Sequence, residues 1–156
     1  MAAGHCTRLK LDPEIVVSAA WLHDVGYAAS LNDTGFHPID GARFLRTSGW
    51  PDDICGLVAY HSCAQIEAGR RGLSSALLEF REVASLERDV LWVSDSTTGP
   101  GGERTTLSER VEEVVVRYGR DHIVAQCMLV IAPSLQQAEA RVEIAHSIRE
   151  SLGDAD

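Results

Sequence analysis

An apolar run in this chain ends abruptly in a histidine and an aspartate. Ile15, Val16, Val17, Ala19, Ala20, Trp21 and Leu22 lead into His23-Asp24 within the segment AAWLHDVGY. Such a run has to be covered by other elements, and a charged doublet at its end is costly to bury without partners. A metal ion is a partner that both can share, since imidazole and carboxylate are ordinary ligands for Zn, Mn, Fe or Mg. Three further candidates follow in apolar or turn contexts: His37, His61 and Asp95. His23 comes one helical turn after Ala19 and Ala20. His61 stands at the same offsets from Leu57 and Val58, and Asp95 from Leu91 and Trp92. This spacing predicts an inward face for each. Asp24, beside His23, is expected to be buried with it. His37 precedes Pro38 at a helix start, where a plain capping role is the competing reading.

The rest of the punctuation is helical. Asp12-Pro13-Glu14 supplies a cap, a proline suited to the first turn and an acid that suits the helix dipole. The helix it opens is expected to reach about Ala29, with the doublet near its end. Asn32-Asp33-Thr34-Gly35 makes a turn. A second helix starts near Pro38 and stops before Gly49. A third opens at Pro51-Asp52-Asp53, carries His61 and runs to about Ala68, before Arg70-Arg71-Gly72. A helix over 86–97 carries Asp95, and Gly99-Pro100-Gly101-Gly102 forces a loop. Thr106-Leu107-Ser108-Glu109 starts the next helix, which ends at Gly119. Two more are expected, from Asp121 to about Ala132 and from Pro133 to about Leu152. Strand-like alternation is absent. The expectation is an all-α bundle of about six to seven helices forming a single domain over 1–156. Its core motifs fall in 13–102 and its C-terminal helices in 105–152.

Composition narrows the partners. The formal net charge of −9 repels phosphate backbones, which argues against non-specific nucleic-acid binding. A small phosphorylated substrate stays compatible, because the charge of a bound metal dominates locally. No window approaches the roughly 18 apolar residues of a membrane span, and MAAGHCTRLK lacks a hydrophobic signal region. Cys6, Cys55, Cys63 and Cys127 show no CxxC spacing. Cys55 and Cys63 read as small core residues, and the set as a whole suits a reduced, cytoplasmic protein with no cysteine metal site.

The order His-Asp, His, His, Asp resembles the HD-domain superfamily of metal-dependent phosphohydrolases. The neighbouring text is similar to that family too: AAWLHDVGY at the doublet, GFHPIDGARFLR around His37, VAYHS around His61 and VSDSTTGPGG around Asp95. LSERVEEVVVRYG resembles the tail of a bacterial subgroup. The resemblance implies a helical bundle with its ligands projecting inward. It implies one metal held by His23, Asp24 and Asp95. In dinuclear members a second metal is held by Asp24, His37 and His61, with Asp24 bridging. The implied cofactor is one or two divalent ions drawn from Mn, Fe, Co, Ni, Zn and Mg. The implied activity is hydrolysis of a phosphomonoester or phosphodiester by metal-activated water, with a nucleotide among the candidate substrates. Asp24 and Asp95 are then the catalytic candidates, with Asp24 orienting the nucleophile and Asp95 accepting a proton. Arg43, beyond His37, and Arg104, in the loop over 97–104, are candidate phosphate contacts; each is otherwise a solvated arginine.

Two departures from the family pattern matter. The family has a further histidine well upstream of the doublet, whereas His5 precedes His23 by only 18 positions. The segment Ala2–Lys10 resembles the end of that earlier helix. This implies either a chain that starts late or a natural variant with a weaker first metal site. The uncovered apolar surface would then favour a homo-oligomer. Tyr27 stands where many relatives carry a lysine, and is expected to pack locally. His122 and His146 fall outside the constellation. Three other readings compete: a non-catalytic HD-like module binding a metal or nucleotide, an oxidative enzyme with a dinuclear iron site, and a purely structural helical scaffold.

Overall fold

The computed structural model describes residues 1–82 and 84–153. Residues 83 and 154–156, part of the single domain expected over 1–156, lie outside the described residues. The helices are α1 (Ala2–Leu9), α2 (Pro13–Leu22), α3 (His37–Thr47), α4 (Asp52–Ala59), α5 (Ala64–Arg71), α6 (Ser74–Leu77), α7 (Leu86–Ser96), α8 (Leu107–Tyr118) and α9 (Ile123–Gly153). Three short 3-10 turns, Val25–Tyr27, Ala29–Leu31 and His61–Cys63, interrupt them. Among the described residues there is no strand beyond one isolated bridge, Thr98 to Arg104, so the all-α expectation holds.

The capping signals act where the sequence places them. The Asp12 side chain accepts from the backbone N–H of Glu14 at 2.8 Å, with Pro13 in the first turn of α2. Thr106 and Glu109 form a reciprocal capping box at α8, which satisfies two otherwise orphaned backbone donors. Three boundaries differ from expectation. α2 stops at Leu22, so the doublet lies just past the helix and leads into a 3-10 turn. The helix expected over 51–68 is broken after Ala59, because Ser62 and Cys63 both adopt positive φ, 47° and 57°. At the C-terminus one helix replaces two. Pro133 sits inside α9, where the loss of a backbone bond costs about 3 kcal/mol. Burial of Ile131, Leu135, Ala138 and Val142 offsets that, at about 1.5–3 kcal/mol per large aliphatic side chain.

Two apolar clusters share α2 and α7. One gathers Ala19, Phe36, Ile39, Leu45, Val58 and Leu91. The other gathers Cys6, Val16, Val90, Leu135 and Val142 around α1, α7 and α9. α2 therefore buries Ala19 on one side and Val16 on the other, while α7 does the same with Leu91 and Val90. Both helices are fixed along their length, and their C-terminal ends are held together. The apolar run is not uniformly covered: Trp21 is 84 % exposed. All four cysteines are free and buried.

A histidine pair ties the first helix to the last. His5 Nδ1 and His146 Nε2 lie 2.9 Å apart. Burial, then the charges of His146, the N-terminal amine, Arg8 and Arg104, lower the pKa of His5 below its ordinary 6.5. The unfolded chain therefore takes up this proton first, and stability falls as pH drops through 6.5 toward the folded value. His5→Gln is expected to flatten the decline in melting temperature between about pH 7 and pH 5. An unchanged slope in thermal scans at a series of pH values would contradict this.

Candidate metal centre

Four chain segments end at one place. His23 and Asp24 follow the last turn of α2, His37 opens α3, His61 begins the 3-10 turn after α4, and Asp95 sits in the last turn of α7. Gly26 allows the segments to meet. A side chain there would put its Cβ 2.0 Å from the carbonyl oxygen of His37 and 2.6 Å from the backbone nitrogen of Gly41. The turn after the doublet therefore lies directly on the first turn of α3. Asp40, which is buried, holds the intervening loop: it accepts from the Thr34 N–H at 3.0 Å and the Thr34 hydroxyl at 2.7 Å.

Asp24 spreads its two oxygens between two imidazoles. Oδ2 is 3.3 Å from His23 Nε2, and Oδ1 is 3.4 Å from His37 Nε2. His37 Nε2 is in turn 3.1 Å from His61 Nε2. Ligand atoms of Asp24, His37 and His61 all lie within 4.8 Å of one another. On the other side, His23 Nε2 is 3.4 Å from Asp95 Oδ1. The five residues thus form one chain of contacts that turns at Asp24. His61 is buried, His23, His37 and Asp95 are partly buried, and Asp24 is exposed. The expectation that Asp24 is buried is corrected: α2 ends before it, and the residue faces a cavity.

Backbone carbonyls orient two of the rings. His23 Nδ1–H donates to Ala20 O at 2.8 Å and His61 Nδ1–H donates to Val58 O at 2.6 Å. Each bond leaves Nε2 pointing inward, which is how protein ligands present a ring nitrogen to a metal. Burial, then the charges of His61 and His23, push the His37 pKa down to about 2. Burial and His23 lower His61 as well. Both rings are therefore neutral at physiological pH. His23 behaves differently. Burial pulls its pKa down, but the hydrogen bond and charge of Asp95, with Asp24, carry it up to about 9. Burial works against the Asp95 carboxylate; His23, His61 and the Ser62 hydroxyl overcome this and hold its pKa well below the usual range. Two neutral imidazoles and a carboxylate with converging donor atoms fit a divalent cation of the Zn, Mn, Fe, Co or Ni kind. A second cation at His23, Asp24 and Asp95 first has to displace the His23 proton.

Other side chains complete the surroundings. The Tyr27 ring stacks on His37 with centroids 3.9 Å apart, a packing role in line with expectation. Ser62 donates to Asp95. A cavity of about 820 Å³ opens beside the cluster, and its basic wall is Arg71, Arg110 and Arg117. Arg43 is placed elsewhere, paired with Asp33 at 2.9 Å and Glu79 at 2.5 Å. Arg104 closes a tight hairpin against Thr98. Neither is among the residues lining that cavity. His122 lines it, stacked on Tyr118 with centroids 5.2 Å apart. His5 and His146 are occupied with each other. Sequence reasoning missed Asp40, Ser62, Arg71, Arg110 and Arg117. The four residues Glu67, Arg71, Arg110 and Glu113 carried a signal only as i,i+4 and i,i+3 ion pairs, which read as solvated helix faces.

A search of solved structures finds no match. Ribonuclease Y from Acidothermus cellulolyticus is 28 % identical over 125 residues, which cover 76 % of this chain and 22 % of that protein. The chain thus spans about a fifth of the length of that relative. The family model for the HD domain matches residues 1–114, a stretch that takes in the doublet, His37, His61, Asp95 and Arg110, the first of the two α8 arginines that line the cavity. The chain belongs to the HD-domain family.

Proposed function

We propose that this protein hydrolyses a phosphate ester of a small substrate, with a nucleotide as the favoured class, using one or two divalent ions held by His23, Asp24, His37, His61 and Asp95. The observation that carries this reading is the convergence of Asp24, His37 and His61 ligand atoms within 4.8 Å, joined through Asp24 to His23 and Asp95. Membership of a family that generally hydrolyses phosphate esters supports it, and so does a relative named as a ribonuclease. A divalent ion bound here would lower the pKa of a water molecule and offset charge on the phosphoryl oxygens.

The chain's own residues have separable parts in this reading. Asp24 spans the two halves of the site. His37 and His61 supply neutral nitrogens. Asp95, kept ionised, is the acceptor for the proton of the attacking water. Ser62 fixes the rotamer of Asp95, and the arginine wall offsets the negative charge of the substrate. A reducing, cytoplasmic location is part of the proposal, supported by the four free, buried cysteines.

A second reading, a binding module without turnover, is favoured by one observation: His23 is already engaged by Asp95. Elemental mass spectrometry of the dialysed protein, followed by assays of phosphate and alcohol release, separates the two. One or two transition metals per chain with metal-dependent hydrolysis supports the enzyme. Bound metal that raises the melting temperature without any hydrolysis supports the module.

A further inference from the structure

The cavity beside the metal ligands is walled by two helix faces. Arg110, Arg117 and Tyr118 line it from α8, and Cys127, Met128 and Ile131 line it from α9. Both sets follow helical spacing, so each helix turns one face to the same space. The α9 face is apolar and the α8 face carries the cations. Seven residues of α-helix separate Arg110 from Arg117, which extends the wall about 10 Å along the α8 axis. Past Tyr118 the chain turns into α9, and His122 sits in that turn. Its ring stacks on Tyr118 with centroids 5.2 Å apart and planes 25° apart. The Val124 N–H donates to His122 Nδ1 at 3.3 Å, which places the ring proton on Nε2. Among the described residues that Nε2–H has no acceptor, and the ring lines the cavity. The α8–α9 corner therefore offers a flat aromatic surface, one fixed N–H donor and a guanidinium, over an apolar floor.

From this geometry we infer that the α8–α9 corner is the subsite that selects the organic part of the substrate, and that it takes a planar heteroaromatic ring with a hydrogen-bond acceptor on its edge. The ring stacks on the Tyr118–His122 pair and accepts from His122 Nε2–H. The inference rests on the phosphohydrolase reading above and narrows it to esters that carry such a ring. A cavity of about 820 Å³ suits a whole drug-sized ligand, far more than a phosphate group fills. An alkyl chain would match Met128 and Ile131 but would leave the Nε2–H unpaired once water is displaced, which is costly. A bare sugar would meet the donor and leave the aromatic surface and the apolar floor unmatched. Arg117, Tyr118, His122 and the α9 face all lie beyond residues 1–114, the stretch that matches the family model. Ring selection is thus a property of this chain's last two helices, separate from the metal-binding core.

Calorimetric titration of the metal-free protein with adenosine monophosphate and with ribose 5-phosphate tests this, because the two ligands share phosphate and sugar and differ by the ring. Adenosine monophosphate is expected to bind about tenfold more tightly or better. His122→Ala and Tyr118→Ala are each expected to weaken it by about three- to tenfold, the size of one hydrogen bond or one aromatic contact. Ribose 5-phosphate should stay within about twofold in both variants. His122→Gln, whose amide N–H can donate, is expected to recover part of the loss. The rise in melting temperature on adding Mn or Zn should match the parent chain in all three variants, which separates loss of the subsite from damage to the fold or the metal centre. Equal affinity for the two ligands, no binding of either, or a preference that survives both alanine variants overturns the inference. Octyl phosphate binding more tightly than adenosine monophosphate overturns it too, and marks the corner as a chain-binding one. Hydrolysis by the metal-loaded protein keeps the two readings apart. Ring-selective binding with no hydrolysis of adenosine monophosphate or of its p-nitrophenyl diester removes the phosphohydrolase and leaves the subsite standing. Hydrolysis of adenosine monophosphate and ribose 5-phosphate at equal kcat/KM leaves the phosphohydrolase standing and overturns the subsite.

Discussion

Replacing Asp24 with alanine is expected to lower metal-dependent hydrolysis by about 100-fold or more, and to remove metal from the dialysed protein. The geometry explains why this single side chain has so large an effect. Its two oxygens face His23 and His37 at 3.3 and 3.4 Å, so its loss disconnects both halves of the site at once. The fold has little at stake. The Asp24 side chain is 57 % exposed, lies outside both apolar clusters, and sits past the end of α2. The metal-free melting temperature of the variant should therefore stay close to that of the parent chain, while the rise produced by added Mn, Co, Ni or Zn disappears. Asp24→Asn keeps one oxygen acceptor but loses the charge, and is expected to fall between the two. Retention of both metal content and hydrolysis in Asp24→Ala would remove the basis for the proposed function.

The sequence and the structure agree best where a local rule acts alone. The caps at Asp12 and Thr106 were legible because each needs only a few neighbouring residues to form. The inward placement of His61 was legible because its offsets from Leu57 and Val58 follow helical periodicity. Agreement is poorer where tertiary packing decides. α2 stops at Leu22 because Gly26 lies on the backbone of α3, a contact between segments that periodicity cannot register. α4 breaks at Ser62 and Cys63, two residues in a backbone region costing about 1–2 kcal/mol each, and neither is the glycine or asparagine that would have announced it. That strained turn is also what brings the Ser62 hydroxyl to Asp95. Pro133 misled in the opposite direction: its helix-breaking tendency is overridden by the apolar face that α9 lays against α7 and α8. The convergence of the five histidines and aspartates was readable from their order and context, whereas the arginine wall was not. Arg71 and Arg110 both sit in short-range pairs that look ordinary on any exposed helix, and only the approach of α8 and α9 toward the doublet gives them a cavity to line.

Gly26→Ala tests whether backbone contact sets the geometry of the site. The added Cβ would fall 2.0 Å from His37 O and 2.6 Å from Gly41 N. Both are main-chain atoms of α3, so no side-chain rotation relieves the clash. The 3-10 turn at Val25–Tyr27 has to lift away from α3, or α3 has to shift against α4. Overpacking of this kind costs on the order of 1–3 kcal/mol, visible as a lower melting temperature. The displacement also separates Asp24, two residues earlier, from His37, the residue whose carbonyl is struck. Metal content and metal-induced stabilisation are therefore expected to fall together with stability. Gly4→Ala serves as the control: it lies within α1, its Cβ meets nothing within 4 Å, and it should raise stability by about 0.5–1 kcal/mol with metal binding unchanged. A Gly26→Ala protein that melts earlier yet binds metal as the parent does would show that Asp24 and His37 reach each other through side-chain freedom, and that the close packing of the turn on α3 serves stability alone.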